Sequence, residues 1–360
     1  MKAETLQQTV STRTVYLDYL RVLATFAVIV VHATSGSFSN SEISPSSSTI
    51  LILYNNLFSW VVPVFVMISG SLFLSPNRNY TIKDLTQKYI FRLGCAYLFW
   101  SFINSFFVAG KEFTILDIAI YTLNGQSVYW YIPMIACLYL LVPLFKNITS
   151  NQTHTKYFLI LFIIFAILTP QILDLSSTVL SNTLLAPFIQ SFQNIFNNTH
   201  FHFAIGYSGY FVLGYYLGTC EFNKAKRNLL LVLGLLAFGI AIFISTCDFE
   251  NTALKQILCH NFTIRVFFES IFVFWAVKLF KNRFTKILLL DKIIIYISKN
   301  SFGIYLTHIF VLRLLKDLNF SVLSFTPIFA VPIVSLCSFS ICFIISIVAR
   351  KIPLLGKYIT

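Results

Sequence analysis

Charge is what this sequence has least of. Charged residues make up 11 % of its 360 positions, and only 13 are acidic against 26 basic. An ordinary soluble domain devotes about a quarter of its residues to charge. With 57 % of positions hydrophobic, the composition excludes a water-surrounded globule and points to a polytopic membrane protein. The net charge of +13 does not imply nucleic acid, because the basic residues are spread through short loops instead of forming a block. No cleavable signal is evident. The residues ahead of Tyr16 are polar, and the apolar run that follows is too long and lacks a small-residue cleavage site, so the first helix is expected to stay in the protein. No Cys/His spacing fits a zinc site, and no metal is expected. A P-loop and a Gly-rich dinucleotide turn are missing, as is the G-x-S-x-G elbow. Those gaps exclude ATP-driven transport by this chain alone and a serine-hydrolase mechanism. There is no internal repeat and no inverted half-to-half symmetry of the transporter kind. The seven cysteines lie mostly inside apolar runs and read as small core residues, although Cys247 and Cys259 share a loop and can pair if it is extracytoplasmic.

What the chain does have is a series of ten apolar runs, at 16–36, 50–74, 88–109, 127–146, 157–174, 201–219, 228–246, 263–281, 294–314 and 325–349. They predict an all-α bundle of about ten transmembrane helices spanning 16–350, between cytoplasmic tails 1–15 and 351–360. Nineteen basic residues fall in the two tails and the even-numbered loops or at their edges, against three (Lys111, Lys255 and Lys316) in the odd-numbered loops. By the positive-inside rule both termini are cytoplasmic, which agrees with an even number of spans. Residues 37–49 and 175–200, rich in Ser, Thr and Asn, read as outside surface loops. Residues 286–300 read either as an amphipathic surface helix or as a long start to the ninth span.

The most informative stretch is Tyr16–Gly36, an apolar run that carries Asp18, Arg21 and His32. Ionisable groups within a span are costly and usually face a protein interior or a wet cavity. Arg21 and His32 are eleven positions apart, which at ~100° per residue puts them on one face, ~16 Å apart along the axis. Taken alone, the pair reads equally well as an orientation anchor and a histidine satisfied in the bundle. Depth adds to it. Arg21, Asp18 and Arg92 form a cationic inner rim suited to a nucleotide-bearing cofactor or an anionic lipid headgroup. Toward the outside lie His32, His308, an Arg265–Glu269 pair at i, i+4, the run Tyr129–Trp130–Tyr131, and His202, Tyr207 and Tyr210. The cost of leaving such groups unpaired in hydrocarbon favours a shared polar cavity. The aromatic run also fits an interfacial belt, and Arg265–Glu269 fits a structural role as well as a functional one.

A histidine can take a proton from an alcohol as it attacks an acyl carbonyl, and a second histidine or a cation can stabilise the oxyanion. The layout suits acyl transfer to a hydroxyl at the outer side, with a cytoplasmic donor entering by the cationic rim.

Together the residues resemble the membrane-bound acyltransferase type 3 family along nearly the whole chain. The opening basic residue and histidine, with ten residues between them, are matched by Arg21 and His32. VPVFVMISGSLFL resembles the second-span segment around Pro63, Ser69 and Gly70. Arg92 in KYIFRLG, Trp130, GYFVLGYYLG and SFGIYLTH, which ends at His308, follow in order. The resemblance implies O-acyl transfer, usually of acetyl, from cytoplasmic acetyl-CoA to a surface or lipid-linked saccharide in a bacterial inner membrane. It also leaves open a polysaccharide exporter. Under the enzymatic reading, His32, Arg21, His308 and Glu269 are the catalytic candidates. Arg21 and Arg92 would hold the donor, and Trp130, Arg265 and Tyr207 the acceptor. Membrane lipids are the other expected partners, and nucleic acid is not one.

Overall fold

A computed structural model describes residues 14–37, 43–108, 114–199, 201–247, 257–258, 260–283, 288–353 and 356–360, with no strand among them. The helix α1 (Val15–Ser35) is the axis of the molecule. Leu17, Leu20, Ala24, Ala27 and Val28 on it are buried, at the three-and-four spacing that aligns one face of a helix. Around it the chain lays down α2 (Pro45–Leu57), α3 (Val61–Phe73), α4 (Phe91–Val108), α5 (Ile115–Asn124), α6 (Tyr131–Leu140), α7 (Val142–Thr149), α8 (Gln152–Phe162) and α9 (Thr169–Val179). Then follow α10 (Ala186–Asn198), α11 (Phe201–Thr219), α12 (Lys224–Thr246), α13 (Ile264–Arg283), α14 (Leu288–Asp317), α15 (Pro327–Arg350) and α16 (Gly356–Ile359). α1 packs directly on α3, α13, α14 and α15.

The outer surface is apolar. On α12, Leu229, Val232, Leu236, Ile240 and Phe243 are exposed at helical spacing, while Gly234, Ala237, Ala241 and Ser245 face inward. Large residues outside and small residues inside reverse the soluble pattern and match a helix bundle solvated by lipid. Six stretches are long and apolar enough to cross a bilayer: Val15–Ser35, Pro45–Phe73, Asp84–Phe107, Gln152–Val179, Lys224–Thr246 and Pro327–Arg350. Ser127–Leu140 and Val142–Thr149, which meet at 57°, make a seventh if taken as one broken span. The chain is therefore a multi-pass membrane protein. The expected runs 201–219, 263–281 and 294–314 are helical as well. Their polar groups, such as Arg265, Glu269 and Lys278 on α13 and Ser298, Asn300 and His308 on α14, hold them below the same apolarity.

Irregularities follow from the sequence. Pro170 has no N–H to give back along its helix, and a π turn at Ile163–Leu168 immediately precedes it. Gly70 on α3 and Gly214 on α11 let two backbones touch: a Cβ on Gly70 would stand 1.7 Å from the carbonyl oxygen of Phe211, and one on Gly214 2.0 Å from that of Met67. Lys278 donates to the carbonyls of Leu217 and Gly218 at 2.8 and 2.9 Å, meeting the C-terminal end of α11 with a cation.

Several loop expectations need correction. Within 175–200, α9 continues to Val179 and α10 follows, started by a proline in its first turn and carrying Phe188, Ile189, Phe192, Ile195 and Phe196 at helical spacing. In the segment between the third and fourth runs, α5 forms under a capping box. Thr114 accepts from the Asp117 N–H at 3.3 Å, and Asp117 accepts from the Thr114 N–H at 3.0 Å. The Thr114 hydroxyl, which donates to Asp117 Oδ2 at 2.6 Å, and after it the Thr114 N–H hold the Asp117 carboxyl below the ordinary carboxylate range. α2 begins at Pro45, inside the stretch expected to be a loop. Residues 288–300 belong to one continuous 30-residue helix, which resolves that alternative in favour of a long helix start. The pairing of Cys247 with Cys259 lies outside the described residues, because Cys259 does.

Candidate active site

One end of the bundle is basic. Arg21 Nη1 lies 3.7 Å from Asp18 Oδ1 and donates to Ser298 Oγ at 3.2 Å, while Ser298 donates to Asp18 at 2.6 Å. The acid thus sits one turn before the cation, with a hydroxyl from α14 between them. Beside them Lys281 pairs with Asp291 at 2.6 Å, and Tyr19 donates to the other oxygen of that carboxylate at 2.9 Å. α1, α13 and α14 are tied together there. Arg92 lies over the Phe302 ring at 5.7 Å and donates to the carbonyl of Thr360, while Trp100 donates to that of Ile359 at 2.8 Å. Residues 356–360 fold back onto α4 through these bonds.

At the opposite end the rings of His32 and His308 lie 5.1 Å apart, centroid to centroid. His308 is 0 % exposed, and its Nδ1 meets the carbonyl of Tyr305. A carbonyl only accepts, so that nitrogen carries the proton and Nε2 is left with its lone pair. Among the described residues Nε2 has no hydrogen-bond partner. The Tyr305 ring also stacks on His308, at 5.7 Å. The turn Ser127–Trp130 is tied to α14 by two tyrosines. Tyr129 donates to the carbonyl of Leu306 at 2.7 Å, and Tyr305 donates to that of Val128 at 2.6 Å. The histidine helix and the Trp130 turn therefore hold each other in place.

A single cavity of about 380 Å³ joins the two ends. Its basic mouth is lined by Arg78, Arg92, Lys299 and Arg21, and its far end by His32, Trp130 and Tyr131. Ser69 and Tyr139, with hydroxyls 3.5 Å apart, line it as well. The volume lies within the range of small-molecule sites. His308 does not line the cavity; it stands behind His32. A second cavity of about 930 Å³ lies between α6, the α8–α9 stretch, α10, α11 and the residues leading into α13, and Trp130 is the residue common to both. Tyr207 lines this second cavity, its ring 5.7 Å from that of Trp130.

Arg21, His32, Arg92 and Trp130 are thus brought together on one cavity, with His308 next to it and Tyr207 across Trp130. Arg265 and Glu269 are not. They form a 2.6 Å ion pair, 3 % and 0 % exposed, and line neither cavity. Arg265 also donates to the carbonyls of Asn56 and Leu258 and to Ser59 Oγ, at 3.1, 3.2 and 3.3 Å. That fork fastens the α2–α3 turn to α13, and the expected catalytic and substrate-binding roles of the pair find no cavity to act in. Tyr129 and Tyr210 are fully buried instead of lining a polar cavity, and Tyr210 donates to the carbonyl of Asn261 at 3.1 Å. The side chain of His202 lies outside the description. Ser69 and Tyr305 fall in the second-span and His308 segments that carry the resemblance, whereas Tyr139 had no signal of its own, since tyrosine is common in membrane helices. Among the described residues no cluster of His, Cys, Asp or Glu could hold a metal ion.

Comparison with known proteins agrees with this arrangement at the level of family. No curated protein and no solved structure matches the chain. A family model described as an acyltransferase domain, of the type 3 acyltransferases, matches residues 14–347 and so takes in both histidines and the whole basic rim. On that match, which covers nearly all of the chain, the protein belongs to the type 3 acyltransferase family.

Proposed function

We propose that the protein is an integral membrane O-acyltransferase that moves an acyl group, acetyl in the first instance, from a cytoplasmic acyl-CoA to a hydroxyl of a surface or lipid-linked saccharide. The ten-span reading with both termini cytoplasmic belongs to this proposal, as does a bacterial inner membrane. The observation that carries it is the cavity whose mouth is cationic and whose far end is His32. Arg78, Arg92 and Lys299 match the phosphates of a nucleotide donor, with Arg92 set as a planar fork. On this reading the interior takes the acyl-bearing arm, with the nucleotide at the basic mouth.

In the transfer, His32 takes the proton of the acceptor hydroxyl as its oxygen bonds to the thioester carbonyl carbon. The tetrahedral adduct expels the CoA sulfur, and the imidazolium returns the proton to that sulfur. The hydroxyls of Ser69, Tyr131 and Tyr139 line the cavity interior as donors for the negative charge that builds on the carbonyl oxygen, while Arg21, at the mouth and ~16 Å from His32 along α1, joins Arg92 in holding the donor. His308, held in one tautomer by the Tyr305 carbonyl, positions His32 and is a positioning residue on this reading. Membranes that contain the protein should move label from radiolabelled acetyl-CoA into saccharide, and the His32→Ala variant, expressed to the same level, should not. Equal labelling by the two would refute the role. A saccharide exporter needs a passage wide enough for the glycan itself, and a cavity of about 380 Å³ between the two ends favours transfer over passage.

A further inference from the structure

The larger cavity has no part in the chemistry described so far, and its lining changes character with depth. α6 starts at the histidine end and runs inward, so Leu138 lies ~12 Å deeper than Trp130. The opposite wall runs outward, so Ala166 lies ~12 Å deeper than Asp174. Both walls are polar or aromatic at the histidine end and apolar below, where Leu138, Leu141 and Ala166 face the space. At the polar end Asp174 Oδ1 accepts from Gln193 Nε2 at 2.7 Å, which fills one of about four acceptor positions on that carboxylate. Tyr207 Oη accepts from Asn261 at 3.2 Å while its ring lies against Trp130.

We infer that this cavity is the acceptor chamber and that it takes an amphiphile: a hydroxyl-rich sugar head on the Trp130–Tyr207 platform beside Asp174, with an apolar chain directed down between Leu138, Leu141 and Ala166. A carboxylate and an amide side by side are donors and acceptors for vicinal hydroxyls, and aromatic faces pack against the C–H face of a sugar ring. An apolar ligand alone would leave the polar end unmatched, and a soluble sugar alone would leave the apolar end unmatched. Trp130 lines both cavities, so a head group resting on it stands at the wall of the compartment that holds His32. The inference rests on the acyl-transfer reading and names the kind of acceptor that reading needs.

Cys137 on α6 is exposed and lines the chamber, so it reports occupancy without any acyl transfer. The full chain in lipid nanodiscs would be treated with a charged, water-soluble methanethiosulfonate reagent, and modification of Cys137 followed by peptide mass spectrometry. Thiols react as thiolates, so a lipid-sealed position would stay unmodified. The expected result is that Cys137 reacts, and that octyl glucoside below its micellar concentration slows the reaction, about tenfold when present at ten times its dissociation constant. Glucose alone and octanol alone should leave the rate unchanged. Asp174→Leu, at a partly exposed position, should abolish the protection. An unreactive Cys137 would overturn the proposal, as would equal protection by octanol or equal protection by glucose. Turnover of labelled acetyl-CoA is a separate measurement, so loss of the chamber's selectivity and loss of acyl transfer are told apart.

Discussion

At the scale of single residues the proposed mechanism divides labour between a histidine that lines the cavity and one that does not. His32 lines the cavity, and His308 is wholly buried behind it with its proton assigned by a carbonyl. Removing a general base typically lowers turnover by about 10²–10⁴-fold. His32→Ala should show a loss of that order in single-turnover acetyl transfer, with the donor's KM unchanged. A positioning residue acts only through its partner, so His308→Ala should cost much less, and the double variant should be no slower than His32→Ala, since groups that act as a unit are not additive. Additive losses would mean that the two histidines act independently. Arg92 belongs to the other mouth and should affect the other parameter. A hydrogen bond to a charged group contributes about 1.5–3 kcal/mol, so Arg92→Ala should raise the donor's KM roughly tenfold or more while leaving the acceptor's unchanged.

At the scale of elements, what holds the site is helix contact and one buried ion pair. A side chain at Gly70 would drive into the backbone of α11 rather than into a mobile side chain. Overpacking of that kind costs about 1–3 kcal/mol or more, so Gly70→Val should lower the thermal unfolding midpoint and the yield of folded protein in detergent. Arg265→Met should do the same for a different reason, by leaving the Glu269 carboxylate uncompensated at 0 % exposure; breaking such a pair costs about 3–5 kcal/mol. Arg265→Met with Glu269→Leu should recover most of that stability, and acetyl transfer with it, whereas a catalytic Glu269 would leave the stable double variant inactive. The sequence carried part of this. Apolar runs located the helices, and counting residues from each end put His32 and His308 at one depth, where their rings do meet. Depth is not direction, however. Glu269 shares that depth and points elsewhere, into Arg265, because the azimuth of a helix is set by neighbours distant in sequence. The helix α10 was hidden for a related reason, being short and amphipathic in a stretch whose Ser, Thr and Asn content reads as loop, and α5, at ten residues, is too short to register as a span. The second cavity lies between five elements and has no local signature at all.

At the scale of the whole molecule, the proposed direction of transfer depends on which end of the bundle faces the cytoplasm. On the proposed ten-span topology nineteen basic residues lie in the tails and even-numbered loops or at their edges against three in the odd-numbered ones, and the rule that loops rich in Lys and Arg stay on the cytoplasmic side places the basic end there. The cavity mouth lined by Arg78, Arg92 and Lys299 lies at that basic end, so on the proposed orientation a donor made in the cytoplasm would meet the mouth from its own side. Two exposed positions report on the orientation. Asn77 lies beside Arg78 at the basic end, and Ser46 opens α2 near the end of α1 that carries His32. In intact cells, with Asn77→Cys and Ser46→Cys made separately, a membrane-impermeant maleimide should label the cysteine at 46 and spare the one at 77. Once the membrane is opened, both should label. Labelling of 77 alone in intact cells would turn the protein over and leave the cationic mouth facing a compartment without acyl-CoA. A cytoplasmic donor would then have no route to Arg92, and acyl transfer would have to draw on a different donor, whatever the histidines can do.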